Sequence, residues 1–254
     1  MNGFDCDLHL HSISSGHAFN TIDEYARYAK SKRYKLVGIS DHGPLMEGAP
    51  HMGYFEMMCR LPHFNCGVEM LYGCEANILS ESGNVDISYN ILENLDYTMA
   101  GLHKRTPYCG EGIAKNTKAI VNTINKGIID IITHPVSLNF VTDINDIILA
   151  ASEQKVLLEA NKTILLEAIT RKRFDIISDY KKLFRYAEEK NVNIIWGSDA
   201  HHVSEMVLSD TNLKYLSEVY EFNFNNVINN NYNVLMDYLK RRQKIRSEIC
   251  ERYA

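Results

Sequence analysis

The chain has 254 residues, 45% of them hydrophobic and 23% charged, enough apolar material for a sizeable core and a length that suits one α/β barrel or two small domains. A formal charge of −5 leaves no basic field of the kind that drives nucleic-acid binding. No stretch approaches the roughly 18–20 consecutive apolar residues of a membrane span.

The N-terminal MNGFDCDLHLHS places acids and histidines where a secretory signal would need a basic start and an apolar run. Cys6, Cys59, Cys66, Cys74, Cys109 and Cys250 form no CxxC pair and read as free thiols, so a cytoplasmic protein is expected. FDCDLHLH (4–11) is the first candidate strand. Thr21 and Glu24 then make a capping box that opens a helix with Ile22, Tyr25, Ala26 and Ala29 on one side. Further candidate strands follow at 35–42, 70–77, 96–103, 129–135, 155–161 and 192–201. Between them, 115–126 predicts a helix with Ala119, Ile120 and Ile124 inward, stopped by Gly127. Residues 174–190 predict another, with Phe174, Ile177, Leu183, Phe184 and Ala187 inward. Strands alternating with helices predict a mostly parallel α/β sheet, and the lack of a linker favours a closed barrel forming one domain over 1–254. The Asn-rich FNFNNVINNNYNVL is left as loop or biased helix, and LMDYLKRRQKIRSEICERYA is expected to be a helix with a basic, solvated face.

Chemistry gathers at the ends of these strands. His9 and His11, His42, Glu75, His103, His134, then Asp199 and His201 close six of the seven, and His17 lies in the loop after the first. His9 and His11, like Asp199 and His201, are two residues apart, which on a strand turns both side chains to the same face and Leu10 to the other. In α/β barrels the carboxyl ends of the strands open onto one mouth, where the active site is built. A lone histidine on an apolar strand is usually a satisfied core residue. Seven imidazoles with two carboxylates are a different case, because burying them without cations would be costly. Nitrogen-rich ligation of this kind suits zinc first, with manganese or iron as alternatives, over calcium or magnesium.

DLHLHS (7–12), the His17 loop, GISDHGP (38–44), GCEAN (73–77), AGLH (100–103), ITHP (132–135) and GSDAH (197–201) resemble, in order, the motifs of the PHP (polymerase and histidinol phosphatase) family. The resemblance is strongest to its stand-alone YcdX-like phosphatases. It implies a distorted seven-stranded (β/α)7 TIM-like barrel with a trinuclear metal centre, three zinc ions by preference, at the C-terminal ends of the strands. By motif, one ion would take His9, His11, Glu75 and Asp199; the second would share Glu75 and add His103 and His134; the third would take His17, His42 and His201. The implied activity is hydrolysis of a small phosphate monoester by a metal-bridging hydroxide, with Glu75, His134 and Asp199 as catalytic residues. A phosphodiesterase or 3′–5′ exonuclease, a histidinol-phosphate phosphatase, a non-catalytic metal module and an amidohydrolase are the alternatives. No membrane or nucleic-acid partner is expected, and the oligomeric state, a homo-oligomer included, stays open.

Several neighbours are weighed against plainer roles. Asp41 orients an imidazole or caps a turn; Glu159 anchors a loop, and Asn161 meets substrate or water. Lys104, Arg105 and Lys115 are expected to be solvated, although Lys104 stands where such phosphatases often carry Glu, which puts substrate preference in doubt. His51 lies in GAPHMGYFEMM, a Met- and aromatic-rich loop that covers the mouth and selects substrate or, more plainly, only packs; His63 and His202 are not expected to be ligands.

Overall fold

Each predicted strand is present in the computed structural model, which describes residues 4–252; the outermost residues of the expected domain, 1–3 and 253–254, lie outside the described residues. In chain order the elements are β1 (Cys6–Asp7), α1 (Ile22–Ser31), β2 (Leu36–Ile39), α2 (Met52–Met57), β3 (Phe64–Asn65), β4 (Val68–Asn77), α3 (Tyr89–Asn94), β5 (Tyr97–Gly101) and α4 (Ile113–Asn125). They continue with β6 (Ile131–Ile132), α5 (Ile144–Gln154), β7 (Leu157–Asn161), α6 (Lys162–Thr170), α7 (Phe174–Glu189), β8 (Ile194–Gly197), α8 (Asp210–Tyr220) and α9 (Tyr232–Cys250). The parallel order β1-β2-β4-β5-β6-β7-β8 is a nearly closed barrel, and β3, which the sequence reading lacked, pairs antiparallel with β4 outside that path.

Alternation along the strands makes two apolar layers. Leu36, Leu71, Tyr97, Ile131, Leu157 and Ile195 fill the barrel interior, and Leu235, Tyr238 and Leu239 of α9 plug its N-terminal end. Val37, Met70, Ala100, Leu158 and Trp196 face the surrounding helices. The capping box of α1 forms as predicted: Glu24 N–H donates to Thr21 Oγ1 at 3.3 Å and Thr21 N–H to Glu24 Oε2 at 2.7 Å. None of the described helices is long and apolar enough to cross a membrane.

The seam between β1 and β8 is closed by means the sequence did not reveal. Leu8 joins Cys6 in the interior layer, yet His9 also faces inward toward Glu75 and Glu159, so the alternation slips by one residue. That slip ends β1 at Asp7, short of the expected residue 11. Asp7 Oδ1 takes up the freed N–H of His9 at 3.1 Å and that of Ser198, across the seam, at 3.3 Å. Above it, His11 N–H donates to Ala200 O at 3.0 Å. Below it, Asn229 acts as a surrogate strand: its Oδ1 accepts Trp196 N–H at 2.6 Å, and its Nδ2 donates to Trp196 O at 2.9 Å and Cys6 O at 3.1 Å. The Asn-rich stretch thus carries one amide the barrel needs, within 3-10 turns at Phe224–Asn226 and Ile228–Asn230.

Two helix faces differ from expectation. In α7 the buried stripe is Ile176, Tyr180, Leu183, Phe184 and Ala187, a consistent i, i+4, i+7 pattern, while Phe174 at the first position is 72% exposed and Ile177 only partly buried. In α9 the basic face is not wholly solvated. Arg242 and Arg246, one turn apart, are buried against Asp130 at the start of β6. Their remaining nitrogens donate to the carbonyls of Gly127, Ile129, Gln154, Leu92 and Leu95.

Candidate metal centre

The barrel brings eight of the nine predicted donors into one connected cluster about two carboxylates, Asp199 and the fully buried Glu75. Glu75 Oε1 lies 2.9 Å from His134 Nε2, 3.0 Å from His103 Nε2 and 3.3 Å from His9 Nε2. Its Oε2 lies 2.9 Å from His42 Nδ1 and 3.5 Å from His11 Nε2. Asp199 Oδ1 lies 3.2 Å from His11 Nε2, 3.5 Å from His9 Nε2 and 3.7 Å from His201 Nδ1. His17, the exposed ninth, stacks its ring 4.8 Å from that of His201 and 5.0 Å from that of His42. The donor atoms of three trios lie within 4.8 Å of one another: His9, His11 and Asp199; His42, Glu75 and His103; His11, His42 and His201. His134 (φ 31°) and Asp199 (φ 55°) occupy the left-handed region, a strain of about 1–2 kcal/mol each that the surrounding contacts must hold.

Hydrogen bonding fixes which ring nitrogens are free. Glu159 Oε1 lies 2.5 Å from His9 Nδ1 and claims its proton, so the neutral ring turns a lone pair at Nε2 into the site. Ser15 Oγ donates to Asp41 Oδ1 at 2.7 Å, so at 3.2 Å it accepts from His11 Nδ1, and His11 Nε2 is likewise a lone pair. These two nitrogens are 3.1 Å apart and face the carboxylates of Glu75 and Asp199. With both rings neutral, acceptors alone would converge there, a conflict that a bound cation or an added proton must relieve.

Protons relieve the conflict in part. Burial works against charging His9, but Glu159, Glu75 and Asp199 outweigh it and hold the ring well above its ordinary pKa. Burial, with neighbouring imidazoles adding to it, pushes His11 well down and His42 to about 4, so both stay neutral and able to ligate. Burial opposes the charge of Glu75 too, yet His103 and His9 keep it ionised far below the usual range. Glu75 Oε2, His42 Nδ1 and His103 Nδ1 remain buried without a well-angled hydrogen bond. The donor set therefore fits divalent metal ions of the zinc, manganese or iron kind.

A second layer holds these groups. Glu159 does more than anchor a loop: besides His9, its Oε2 accepts His134 N–H at 2.8 Å and Asn161 Nδ2 at 3.1 Å. A Cβ on Gly197 would lie 1.8 Å from Glu159 Oε1, so the glycine of GSDAH makes room for that carboxylate. Asn161 Nδ2 also reaches Asp199 Oδ2 at 3.2 Å. Asp41 acts on the imidazoles through Ser15, whose Oγ also accepts His42 N–H at 3.2 Å. Ser12 and Tyr54 complete the support of Asp41 at 2.6–2.8 Å. Tyr54 reaches Asp41 from α2, 13 residues further along the chain.

Above the centre lies an open cleft of about 290 Å³, to which Met46, Glu47, Lys104 and Arg105 add walls. Lys104 and Arg105 are exposed, as expected, and they also line this cleft. Lys115 pairs at the surface with Glu111 and Glu81. His51 caps α2, His63 pairs with Asp96, and His202 caps the Val203–Glu205 turn.

Known proteins give the same frame. Residues 7–254 match the PHP domain family. A probable phosphatase of Thermoanaerobacter sp. (strain X514) is 36% identical over 238 residues, 94% of this chain and 95% of its own. One of Proteus mirabilis is 34% identical over 242 residues, 95% of this chain and 96% of its own. Among solved structures, the histidinol phosphate phosphatase of Lactococcus lactis, complexed with zinc, L-histidinol and phosphate, superposes with a TM-score of 0.60 at 13% identity, covering 86% of this chain and 94% of that one. At that identity the likeness is one of fold. Sequence relatives and family match together place this chain in the PHP domain family.

Proposed function

We propose that the cleft hydrolyses small phosphate monoesters at a centre of up to three divalent cations, zinc first, with manganese or iron as substitutes. As a PHP-family chain whose relatives along nearly its whole length are named probable phosphatases, it is a hydrolase of phosphate esters. The monoester preference, the ion count and the metal are the proposed part. The observation that carries the metal centre is the convergence of His9 Nε2 and His11 Nε2 on the carboxylates of Glu75 and Asp199.

His9, His11, Glu75 and Asp199 would hold one ion, Glu75 with His103 and His134 a second, and His17, His42 and His201 a third. Bound cations would supply a charge sink for phosphate oxygens and lower the pKa of a water to about 7. The chain's own residues set the geometry. Glu159 keeps His9 in one tautomer and pins the backbone of His134, so one carboxylate orients two donors. Asn161 holds Asp199 Oδ2, leaving Oδ1 turned to the histidines. Asp199 is 19% exposed where Glu75 is fully enclosed, so it is the carboxylate able to take a proton from an attacking water.

The zinc, histidinol and phosphate held by the Lactococcus protein make histidinol phosphate one substrate worth including in a wider panel. The deciding assay compares p-nitrophenyl phosphate with its bis-ester and with single-stranded DNA on metal-loaded protein. Faster cleavage of the monoester is expected. Faster cleavage of the bis-ester or the DNA would overturn the monoester reading.

A further inference from the structure

Resting on the monoesterase reading, we infer that Lys104 and Arg105 form a receptor for a second anionic group, so that the preferred monoester carries a carboxylate or another phosphate beyond the one removed. Both side chains line the cleft that Glu75, His134 and Asp199 also line, and both are exposed. Neither has a carboxylate within 4.0 Å among the described residues, whereas the next lysines along the chain, Lys115 and Lys118, are both paired with Glu81. Their position is built. Thr106 Oγ1 donates back to His103 O at 2.9 Å, and Arg105 takes a left-handed backbone (φ 63°) that a bulky side chain ordinarily avoids.

Charge balance favours a second anion over the scissile phosphate as their ligand. The departing phosphate lies with the metal centre, where bound cations would already serve it. Lys104 and Arg105 are further positive charge at the rim, opposed among the added walls only by Glu47. A guanidinium beside an ammonium recognises a carboxylate or a phosphate equally well, the former through a two-pronged contact. A cleft of about 290 Å³ suits a small metabolite.

Two matched pairs test this on metal-loaded protein: glycerol 3-phosphate against 3-phosphoglycerate, and fructose 6-phosphate against fructose 1,6-bisphosphate. The member with the second anionic group should show a kcat/KM about tenfold higher in at least one pair, mainly through KM. The pair with the larger ratio tells carboxylate from phosphate. In the variant combining Lys104→Gln with Arg105→Gln that ratio should collapse toward one, and restoring Arg105 alone should recover part of it. Equal kcat/KM within both pairs, or a ratio that survives in the double variant, would overturn the receptor. Titration calorimetry of both pairs on metal-stripped protein reads the receptor without turnover: about tenfold tighter binding of the member with the second anionic group in at least one pair, lost in the double variant, supports it, and equal binding within both pairs overturns it. Absence of hydrolysis of all four esters would instead count against the monoesterase reading.

Discussion

At the N-terminal end of the barrel, Asp130 is fully buried with Arg242 and Arg246 against it; at the C-terminal end, Glu75 is equally buried with five imidazoles around it. The first arrangement is complete. Two permanent cations meet one carboxylate, and backbone carbonyls take up the spare guanidinium donors. The second leaves lone pairs of His11 and His42 facing carboxylate oxygens, because these two imidazoles, kept neutral by burial, cannot neutralise a site as guanidinia do. Full internal pairing marks a bolt that fixes α9 to the barrel. Acceptors left over mark a place for something from outside.

The contrast can be broken most severely at Glu75. Glu75→Gln removes the charge shared by five rings and should lower phosphate-ester turnover by about a thousandfold or more while stripping metal, with the helical circular-dichroism signal retained. Retained turnover would mean that Glu75 is only packing. At the other end, Arg246→Met should cost about 3–5 kcal/mol of unfolding free energy by leaving Asp130 under-paired, with metal content per folded chain unchanged. A urea midpoint that does not move would deny the bolt its role. Glu159→Gln sharpens the division within the upper region: metal affinity, read by competition with a chelator, should fall about 10–100-fold because the His9 tautomer is no longer fixed. Asn229→Ala, at the seam, should cost about 1–3 kcal/mol and leave metal affinity as it was.

Much of the upper region was legible in the sequence, and for a physical reason. Donors at strand ends converge by topology alone, so locating the strands was enough to gather His42, Glu75, His103, His134 and Asp199 at one mouth. Details that depend on distant partners were hidden. Nothing near RRQKIR signals that Arg242 meets Asp130, 112 residues away, and nothing in VINNN singles out the Asn229 amide as the strut across the seam. The slip at Leu8 and His9 escaped because strict alternation was assumed, although Asp7 stands ready to accept the freed amide. The shifted face of α7 is a smaller matter: Phe174 is apolar but sits at the helix entrance, before the buried stripe begins.

The central claim is that the upper cluster is a metal site, and elemental analysis of protein purified without chelator tests it directly when paired with phosphate release before and after metal stripping. The account predicts more than one divalent transition-metal ion per chain, turnover abolished by stripping, and recovery on adding zinc or manganese. Metal-free protein that still releases phosphate at the full rate would contradict it.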